Sequence, residues 1–546
     1  MEILSCKDLR FRYNGSSKDT LSGVSFTVQP SQVVLLVGRT GSGKSTLLRL
    51  LKKEIAPQGE FSGVINICGK AQGELSLLES TQNISYVSQN PDTQTVTHKV
   101  SAELAFALEN LGTEPSEILG RVGEMATYFG IESIYSRDID TLSGGQKQLC
   151  ALCSAVVQAP KILLLDEPAA QLDPIGTSKL YSALRRLNEE LGTTIIIAEH
   201  DPQEIFSFCD KVVAMDGGEA REFDSREDFV DAAANDPYLR GYIPACARAV
   251  LPLGKTAFTV KDAKNILEQA FPAQEELPVA EKKTKEKKPA LQARNVYFRY
   301  ERNGRDVVSC LDLSVCEGEI FAAVGSNGCG KTTMLKVLSG IFKPWQGRIE
   351  LFGKNIKAYK GNSLYRENAA FMPQDPYFLF TAQTVREELE STCKAMGRGD
   401  YEALCERYGV TRLLGTHPYD LSGGEIQKCA MIKLLLTEPK ILLLDEPSKA
   451  LDPVSKAALG ETLRELSGQG RTVIIATHDT EFAAAYAHRC GLFFDGRIHC
   501  DAPSREFFAR SRFYTTEASR IARNVFAQAV TAQELEECVR AGGGRR

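Results

Sequence analysis

Gly38-Arg39-Thr40-Gly41-Ser42-Gly43-Lys44-Ser45 follows directly on an apolar run at 33–37. Gly325-Ser326-Asn327-Gly328-Cys329-Gly330-Lys331-Thr332 follows a second such run. Glycine at Gly38, Gly41 and Gly43, and again at Gly325, Gly328 and Gly330, lets successive backbone N–H groups turn inward and cradle phosphate oxygens where a helix begins. Lys44 and Lys331 then reach toward the β- and γ-phosphates, and the hydroxyls of Ser45 and Thr332 are placed for Mg²⁺. Thr46 and Thr333 come next as nucleotide contacts. One such spacing arises by chance; two, each behind an apolar strand, define a phosphate-binding α/β domain used twice.

Working outward, the rest of the chain repeats in the same order. Phe11-Arg12-Tyr13 returns as Phe298-Arg299-Tyr300, Leu142-Ser143-Gly144-Gly145-Gln146 as Leu421-Ser422-Gly423-Gly424-Glu425, and the ILLLDEP run at 162–168 unchanged at 441–447. Offsets between matched residues stay between 278 and 287, a period that means two whole domains and not solenoid units. Short, uniformly apolar runs at 162–165, 195–198, 441–444 and 473–476, separated by helical segments, predict a mostly parallel sheet buried on both faces. Nucleotide is expected at the carboxyl edge of those strands. Residues 92–141 and 376–420 read as largely helical and predict an inserted subdomain in each half. The domains expected are 1–225 and 290–505, with extensions at 226–273 and 506–546 and a charged linker at 274–289. Within the linker, residues 281–288 hold five Lys against two Glu, which reads as a solvated connection.

Asp166 and Asp445 end apolar strands, where a carboxylate holds Mg²⁺ through water. Glu167 and Glu446 follow at once and can polarise an attacking water as general base. Net charge is −5, so no global positive field recruits nucleic acid or anionic lipid. Fifteen cysteines form no disulfide framework, and Cys150 and Cys153 read as two reduced thiols on one helix, which fits a reducing cytosol. The first ten residues are not a signal peptide, and no run approaches the roughly 18 apolar residues of a membrane helix. Cys329 reads as a variable loop position, although neighbouring amides and Lys331 would lower the pKa of its thiol.

With these motifs in place, the chain resembles the ABC ATPase family over nearly its whole length. The resemblance implies two P-loop NTPase domains binding ATP and Mg²⁺, with Ser143, Gly144, Gly145 and Ser422, Gly423, Gly424 as signature residues that contact ATP held by the opposite half. Tyr13 and Tyr300 would stack on adenine. Gln89 and Gln374 would touch Mg²⁺ and couple to a membrane part, Asp173 and Asp452 would lie in the D-loops, and His200 and His478 would reach the γ-phosphate. Two composite sites formed by intramolecular pairing are implied, Lys44 with Ser422 and Lys331 with Ser143, both hydrolytic. Ser88-Gln89-Asn90-Pro91-Asp92-Thr93-Gln94 and Pro373-Gln374-Asp375-Pro376-Tyr377-Phe378-Leu379-Phe380 are similar to the loops of energy-coupling factor transporters, Thr93 departing from the usual form. That subfamily implies a transmembrane scaffold subunit, a separate substrate-binding membrane subunit, a vitamin, vitamin precursor or cobalt or nickel ion as cargo, and peripheral placement on the cytoplasmic face of the membrane. The alternative is a soluble tandem ATPase acting on ribosomes or nucleic acid, against which the short linker and acidic balance weigh.

Overall fold

The apolar run at 33–37 is wholly unexposed because strand Val33–Gly38 lies inside a six-stranded sheet. The computed structural model describes residues 2–271, 288–359, 363–397 and 400–543; the predicted linker at 274–289 lies outside them except for its last two residues. The chain divides into two units, Met1–Pro244 and Ala245–Arg546.

In the first unit the sheet runs in the order Glu219–Phe223, Lys211–Asp216, Val33–Gly38, Thr194–Ala198, Ile162–Asp166 and Ile84–Val87. The last five strands are parallel, and only the edge strand Glu219–Phe223 pairs antiparallel. Val34 and Leu36 face a core with Leu47 and Leu48 of the helix Lys44–Leu50. That core also takes in Leu9, Phe11 and Phe26 from a second, antiparallel sheet built on Leu4–Tyr13, Leu21–Val28 and Gly59–Ile67. Apolar Leu4 and Cys6, then Leu9 and Phe11, face inward along Leu4–Tyr13, with the alternation broken by a bulge at Lys7-Asp8.

The second unit repeats both sheets. Arg497–Pro503, Arg489–Phe494, Ile320–Val324, Thr472–Thr477, Ile441–Asp445 and Ala369–Met372 form the six-stranded sheet in the same spatial order, and Pro289–Phe298 centres the antiparallel one. The α/β, mostly parallel architecture predicted from the apolar runs is the one observed. The inserted segments are helical, as Val100–Asn110 and Pro115–Tyr128 in one half and Val385–Met396 and Glu402–Arg407 in the other. Each leads into the helix that follows the signature serine, Gly144–Val156 or Gly423–Leu435.

The second unit also contains a helical cluster made from distant parts of the sequence. Helices Ala245–Val250 and Val260–Ala270 pack with Glu517–Ala522 and Ala532–Gly543, burying Cys246, Val250, Leu267, Ile521, Leu535 and Val539 together. Apolar spacing at three and four residues makes each helix two-faced, and none buries its face alone. Glu536 is buried among them, 3.2 Å from Arg248 and 2.7 Å from Arg540. Replacing Glu536 with Ala would leave the mostly covered Arg248 uncompensated and should remove about 3 kcal/mol from this unit, read as a lower urea midpoint by circular dichroism. An unchanged midpoint would show that the carboxylate contributes nothing to the cluster.

Candidate active site

Both phosphate loops leave the middle of their sheets and turn into helices at a left-handed glycine, Gly43 with φ 99° and Gly330 with φ 105°. A β-carbon at that φ would be strained, which is why the motif needs glycine there. The lysines curl back over the loop. Lys44 Nζ donates to the Gly38 and Arg39 carbonyls at 2.6 and 3.1 Å, and Lys331 Nζ to the Gly325 and Ser326 carbonyls at 2.8 and 3.0 Å. Both ammonium groups are buried, so these carbonyls replace water at the charge. Tyr13 and Tyr300 are exposed, by 37% and 63%, and are therefore not core aromatics. Their hydroxyls meet Thr46 and Thr333 at 3.0 and 2.8 Å, so each aromatic is hinged to its own phosphate loop.

The parallel register brings Asp166 opposite Ala198 and Asp445 opposite Ala476, which sets each carboxylate pair beside the strand that ends in its histidine. Ser45 Oγ donates to Asp166 Oδ1 at 2.9 Å, and Tyr86 donates its hydroxyl to Oδ2 at 3.1 Å. Burial, reinforced by Glu167, pushes the Asp166 carboxyl up to about 6. Burial likewise pushes Asp445 up to about 6, opposed by Thr332 and reinforced by Glu446. Both Asp445 oxygens are buried without a hydrogen bond of ordinary geometry, although the Thr332 hydroxyl lies near enough to lower the carboxyl. A buried, under-satisfied carboxylate beside a threonine hydroxyl supplies the oxygen ligands a hard divalent cation takes, so the residues present fit Mg²⁺. Among the described residues no three His, Cys, Asp or Glu side chains form a cage, so such an ion would take its other oxygens from nucleotide and water.

Glu167 and Glu446 both sit in the left-handed region, with φ 48° and 49°. Non-glycine residues avoid it, at a cost of about 1 kcal/mol or more each. Their N–H groups are fastened to the Ala198 and Ala476 carbonyls at 2.9 and 2.8 Å. Glu167 lies 2.7 Å from His200 Nε2 and accepts from Gln89 Nε2 at 2.5 Å. Glu446 lies 2.9 Å from His478 Nδ1 and 3.5 Å from Lys331 Nζ, and it accepts from Thr477 Oγ1 at 3.1 Å. Burial alone would raise both glutamates, but His200 and Lys44, and in the other half His478 and Lys331, hold them below the usual carboxylate range. The structure thus gathers Lys44, Ser45, Gln89, Asp166, Glu167 and His200 at one sheet edge, and Lys331, Asp445, Glu446 and His478 at the other. Gln374 is exposed.

Ser143 and Ser422 cap their helices. Ser143 Oγ accepts from the Gln146 N–H at 3.3 Å, whereas Ser422 donates its hydroxyl to the Glu425 carboxylate at 2.7 Å. Gly144 approaches Gln171, and a β-carbon on Gly145 would meet the Leu172 Cδ2 methyl at 2.9 Å, so both glycines pack closely on the loop after Glu167. Gly424 is buried in the second copy, and Gly423 has open space around it. Asp173 and Asp452 cap the helices Pro174–Leu191 and Pro453–Gly468. Cys150 and Cys153 are buried free thiols raised by burial, as the helix reading implies. Cys329 departs from expectation: burial raises its thiol, outweighing the lowering by Lys331 and the local amides.

The loop after Gln89 borders a cleft of about 420 Å³ in the first unit, with Lys52, Leu77, Val96, Glu103 and Phe106 in its lining. Leu77 and Val96 are 69% and 64% exposed, while Ser85 Oγ and Gln158 Oε1 in the same cleft are buried without a hydrogen bond. Gln94 clamps the loop, accepting from Ser88 N–H at 3.0 Å and donating to the Tyr86 carbonyl at 2.6 Å, and Thr93 bonds the Asn90 carbonyl at 2.8 Å. Each loop is also tied to its signature segment. In the first half Asp92 pairs with Lys147 at 2.6 Å; in the second, Tyr377 stacks on Tyr419 with centroids 5.1 Å apart and donates to the Leu421 carbonyl at 2.9 Å.

Two phosphate loops, each with a strand-end Asp-Glu pair, a histidine and a serine-capped helix, define a tandem P-loop ATPase. The family model described as ABC transporter matches residues 21–170 and 308–449, more than half of the chain, and the protein belongs to that family as a two-domain ATP-binding member. An ABC transporter ATP-binding protein of Bacillus anthracis is 36% identical over 537 residues, covering 97% of each chain. One from Streptomyces avermitilis is 31% identical and covers 95% of this chain and 97% of its own. An archaeal ribosome recycling factor, aABCE1, solved with the ribosomal stalk protein aP1, aligns over 92% of this chain and 91% of its own with a TM-score of 0.60. Its 23% identity makes that likeness one of fold.

Tyr86 and Glu199 belong to the first site yet escaped the sequence reading. A tyrosine inside an otherwise apolar strand and a carboxylate directly after one are the signals that point to them. Glu199 is fully buried, accepting from Tyr181 Oη at 2.8 Å and from the Ala169 N–H at 3.1 Å. It thereby fastens the segment after Glu167 to the helix Pro174–Leu191. Burial, reinforced by Glu167, raises its carboxyl to about 8. The unfolded chain releases this proton near pH 4.3, so folding stability is lost as pH rises from there through about 8. Glu199→Gln, neutral at every pH, should raise the melting temperature by about 4 °C at pH 9 and by less than about 1 °C at pH 5; a pH-independent difference in calorimetry would remove the buried-acid reading.

Proposed function

We propose that this chain is the ATP-hydrolysing subunit of a membrane importer of the energy-coupling factor type, held peripherally at the cytoplasmic face by a transmembrane scaffold that also carries a substrate-binding subunit. The cleft beside residues 89–96 carries this reading. It pairs exposed apolar side chains with unsatisfied buried polar groups, and it adjoins the loop whose glutamine reaches Glu167. A membrane partner's amphipathic helix has the matching chemistry. Relatives similar over their full length are named as transporter ATP-binding proteins, which supports a transport role. The loop similarity to micronutrient transporters favours a vitamin, its precursor or a cobalt or nickel ion as cargo. The chain's net charge of −5 disfavours a nucleic-acid partner.

In this reading, loop amides and Lys44 or Lys331 bind the triphosphate, and Tyr13 or Tyr300 stacks on the base. Mg²⁺ at Ser45, Gln89 and Asp166, and at Thr332, Gln374 and Asp445, would neutralise phosphate charge. Glu167 and Glu446, held ionised beside their histidines, take the proton of the attacking water on a carboxylate oxygen. Gln89 lends its amide to Glu167, so a partner moving the 89–94 loop moves the base. The same push passes through the Asp92–Lys147 pair, or the Tyr377–Tyr419 stack, to the signature serine of the same half.

Glu167→Gln with Glu446→Gln should cut steady-state ATPase at least 100-fold, or about 3 kcal/mol in barrier, while nucleotide binding persists. Turnover within twofold of the parent would exclude the glutamates as bases. Val96→Glu with Phe106→Glu should preserve ATPase of the isolated chain and abolish its co-purification with a polytopic membrane protein from detergent extracts. Recovery of ribosomal subunits in place of that membrane protein would overturn the importer reading in favour of a ribosomal role.

A further inference from the structure

Tyr238 stands 199 residues from Arg39 in sequence and touches the first phosphate loop in space. Its hydroxyl accepts the Arg39 backbone N–H at 3.1 Å and donates to the Met215 carbonyl at 2.6 Å. The Arg39 guanidinium lies over the Tyr238 ring, 4.7 Å from the centroid. The ring is fixed from behind as well. Asp236 Oδ1 accepts from the Tyr238 and Leu239 N–H groups at 2.8 and 3.3 Å, and the buried Tyr242 meets Tyr238 edge-on at 6.1 Å.

The peptide that Tyr238 grips is the one that holds the lysine. Lys44 Nζ rests on the Gly38 and Arg39 carbonyls, while the N–H between those residues points to Tyr238. Met215 O, which takes the Tyr238 proton, is also the wall against which Gly38 packs: a β-carbon there would come within 2.3 Å of it. One hydroxyl therefore ties the loop entrance to the end of strand Lys211–Asp216, and the lysine hangs from the tied peptide. We propose that Tyr238 is a positioning residue of the first ATP site, setting the Gly38–Arg39 peptide and through it the Lys44 ammonium. Nucleotide affinity at this site then depends on the placement of the segment after the last strand. That segment runs from the helix Arg226–Ala233 through Tyr238 to Ala245, where the chain enters the helical cluster of the second unit. Any shift of that segment that withdraws the hydroxyl strands the Arg39 N–H and loosens the seat of Lys44. The inference rests on the reading of Lys44 as a triphosphate contact.

The test is equilibrium binding of a methylanthraniloyl-ATP probe with Mg²⁺ to the full chain. Lys331→Ala leaves the first site as reporter, and Lys44→Ala leaves the second. Each single variant should retain one of two sites; two sites persisting in Lys44→Ala would sink the underlying reading, whatever Tyr238 does. On the Lys331→Ala background, adding Tyr238→Phe should raise Kd about tenfold, because a loop N–H loses its acceptor while the ring stays. On the Lys44→Ala background the same change should alter Kd by less than about twofold. An unchanged Kd at the first site, or equal weakening at both, overturns the proposal, the second outcome marking a general structural role. Should Tyr238→Phe fail to fold, Arg39→Ala removes the guanidinium–ring contact in its place. It should weaken the first site alone by about threefold, and no change, or a change at both sites, overturns the proposal equally.

Discussion

Each half buries opposite charges together at the end of an apolar sheet, and that burial constrains the rest of the structure. Lys44, Asp166, Glu167 and His200 are each at most 7% exposed, as are Lys331, Asp445 and Glu446. An isolated charge in such surroundings costs several kcal/mol, so each member is either answered by a fixed partner or, like Asp445, has its charged form disfavoured by burial. The loop carbonyls answer the lysines, Ser45 and Tyr86 answer Asp166, and the histidines answer the glutamates. The aspartate carboxyls rise toward about 6 while the adjacent glutamates fall, so two neighbouring acids in one strand end acquire different proton affinities. The histidine beside each glutamate favours its ionised form, while burial favours the protonated form of the aspartate.

The two halves solve the same problem with different side chains. Tyr86, beside Leu164 in the parallel register, gives Asp166 a hydroxyl; Phe371, beside Leu443, gives Asp445 none. Glu199 reaches behind the first glutamate to Tyr181 and Ala169, whereas Thr477 at the matching place bonds Glu446 directly. The 89–94 loop is fastened to its signature helix by an ion pair, and its counterpart by an aromatic stack. An exposed ion pair weakens with salt, and a stack does not, so the two routes from loop to signature respond differently to their surroundings. Glu425 draws the Ser422 hydroxyl toward itself and leans on Arg412 at 3.2 Å, while Gln146 leaves the Ser143 hydroxyl proton uncommitted.

Cooperation between remote segments is equally physical. No helix among Ala245–Val250, Val260–Ala270, Glu517–Ala522 and Ala532–Gly543 has an apolar face it can bury alone, so the tail of the first half is completed by the tail of the second. Tyr238 precedes this cluster by a few residues and holds the first phosphate loop, which places a short stretch of chain between a nucleotide contact and a packing unit.

By itself the sequence determined the duplication, the α/β class, the phosphate loops and the acid pairs, because these depend on local chemistry. Short apolar runs rich in Ile, Leu and Val and bounded by glycine or acid mark buried strands, glycine spacing fixes where backbone N–H groups can converge, and an acid after such a run stands at the sheet's carboxyl edge. The second, antiparallel sheet was not legible, since its alternation is interrupted by bulges at Leu9 and Asn295 and reads as ordinary surface. Tertiary structure alone decided which distant polar groups meet: Tyr86 and Asp166, Glu199 and the Ala169 amide, Thr477 and Glu446, Tyr238 and the Arg39 amide. Those pairings join residues 30 to 199 positions apart, and such contacts are set by strand register and packing, which no local pattern of residue types encodes.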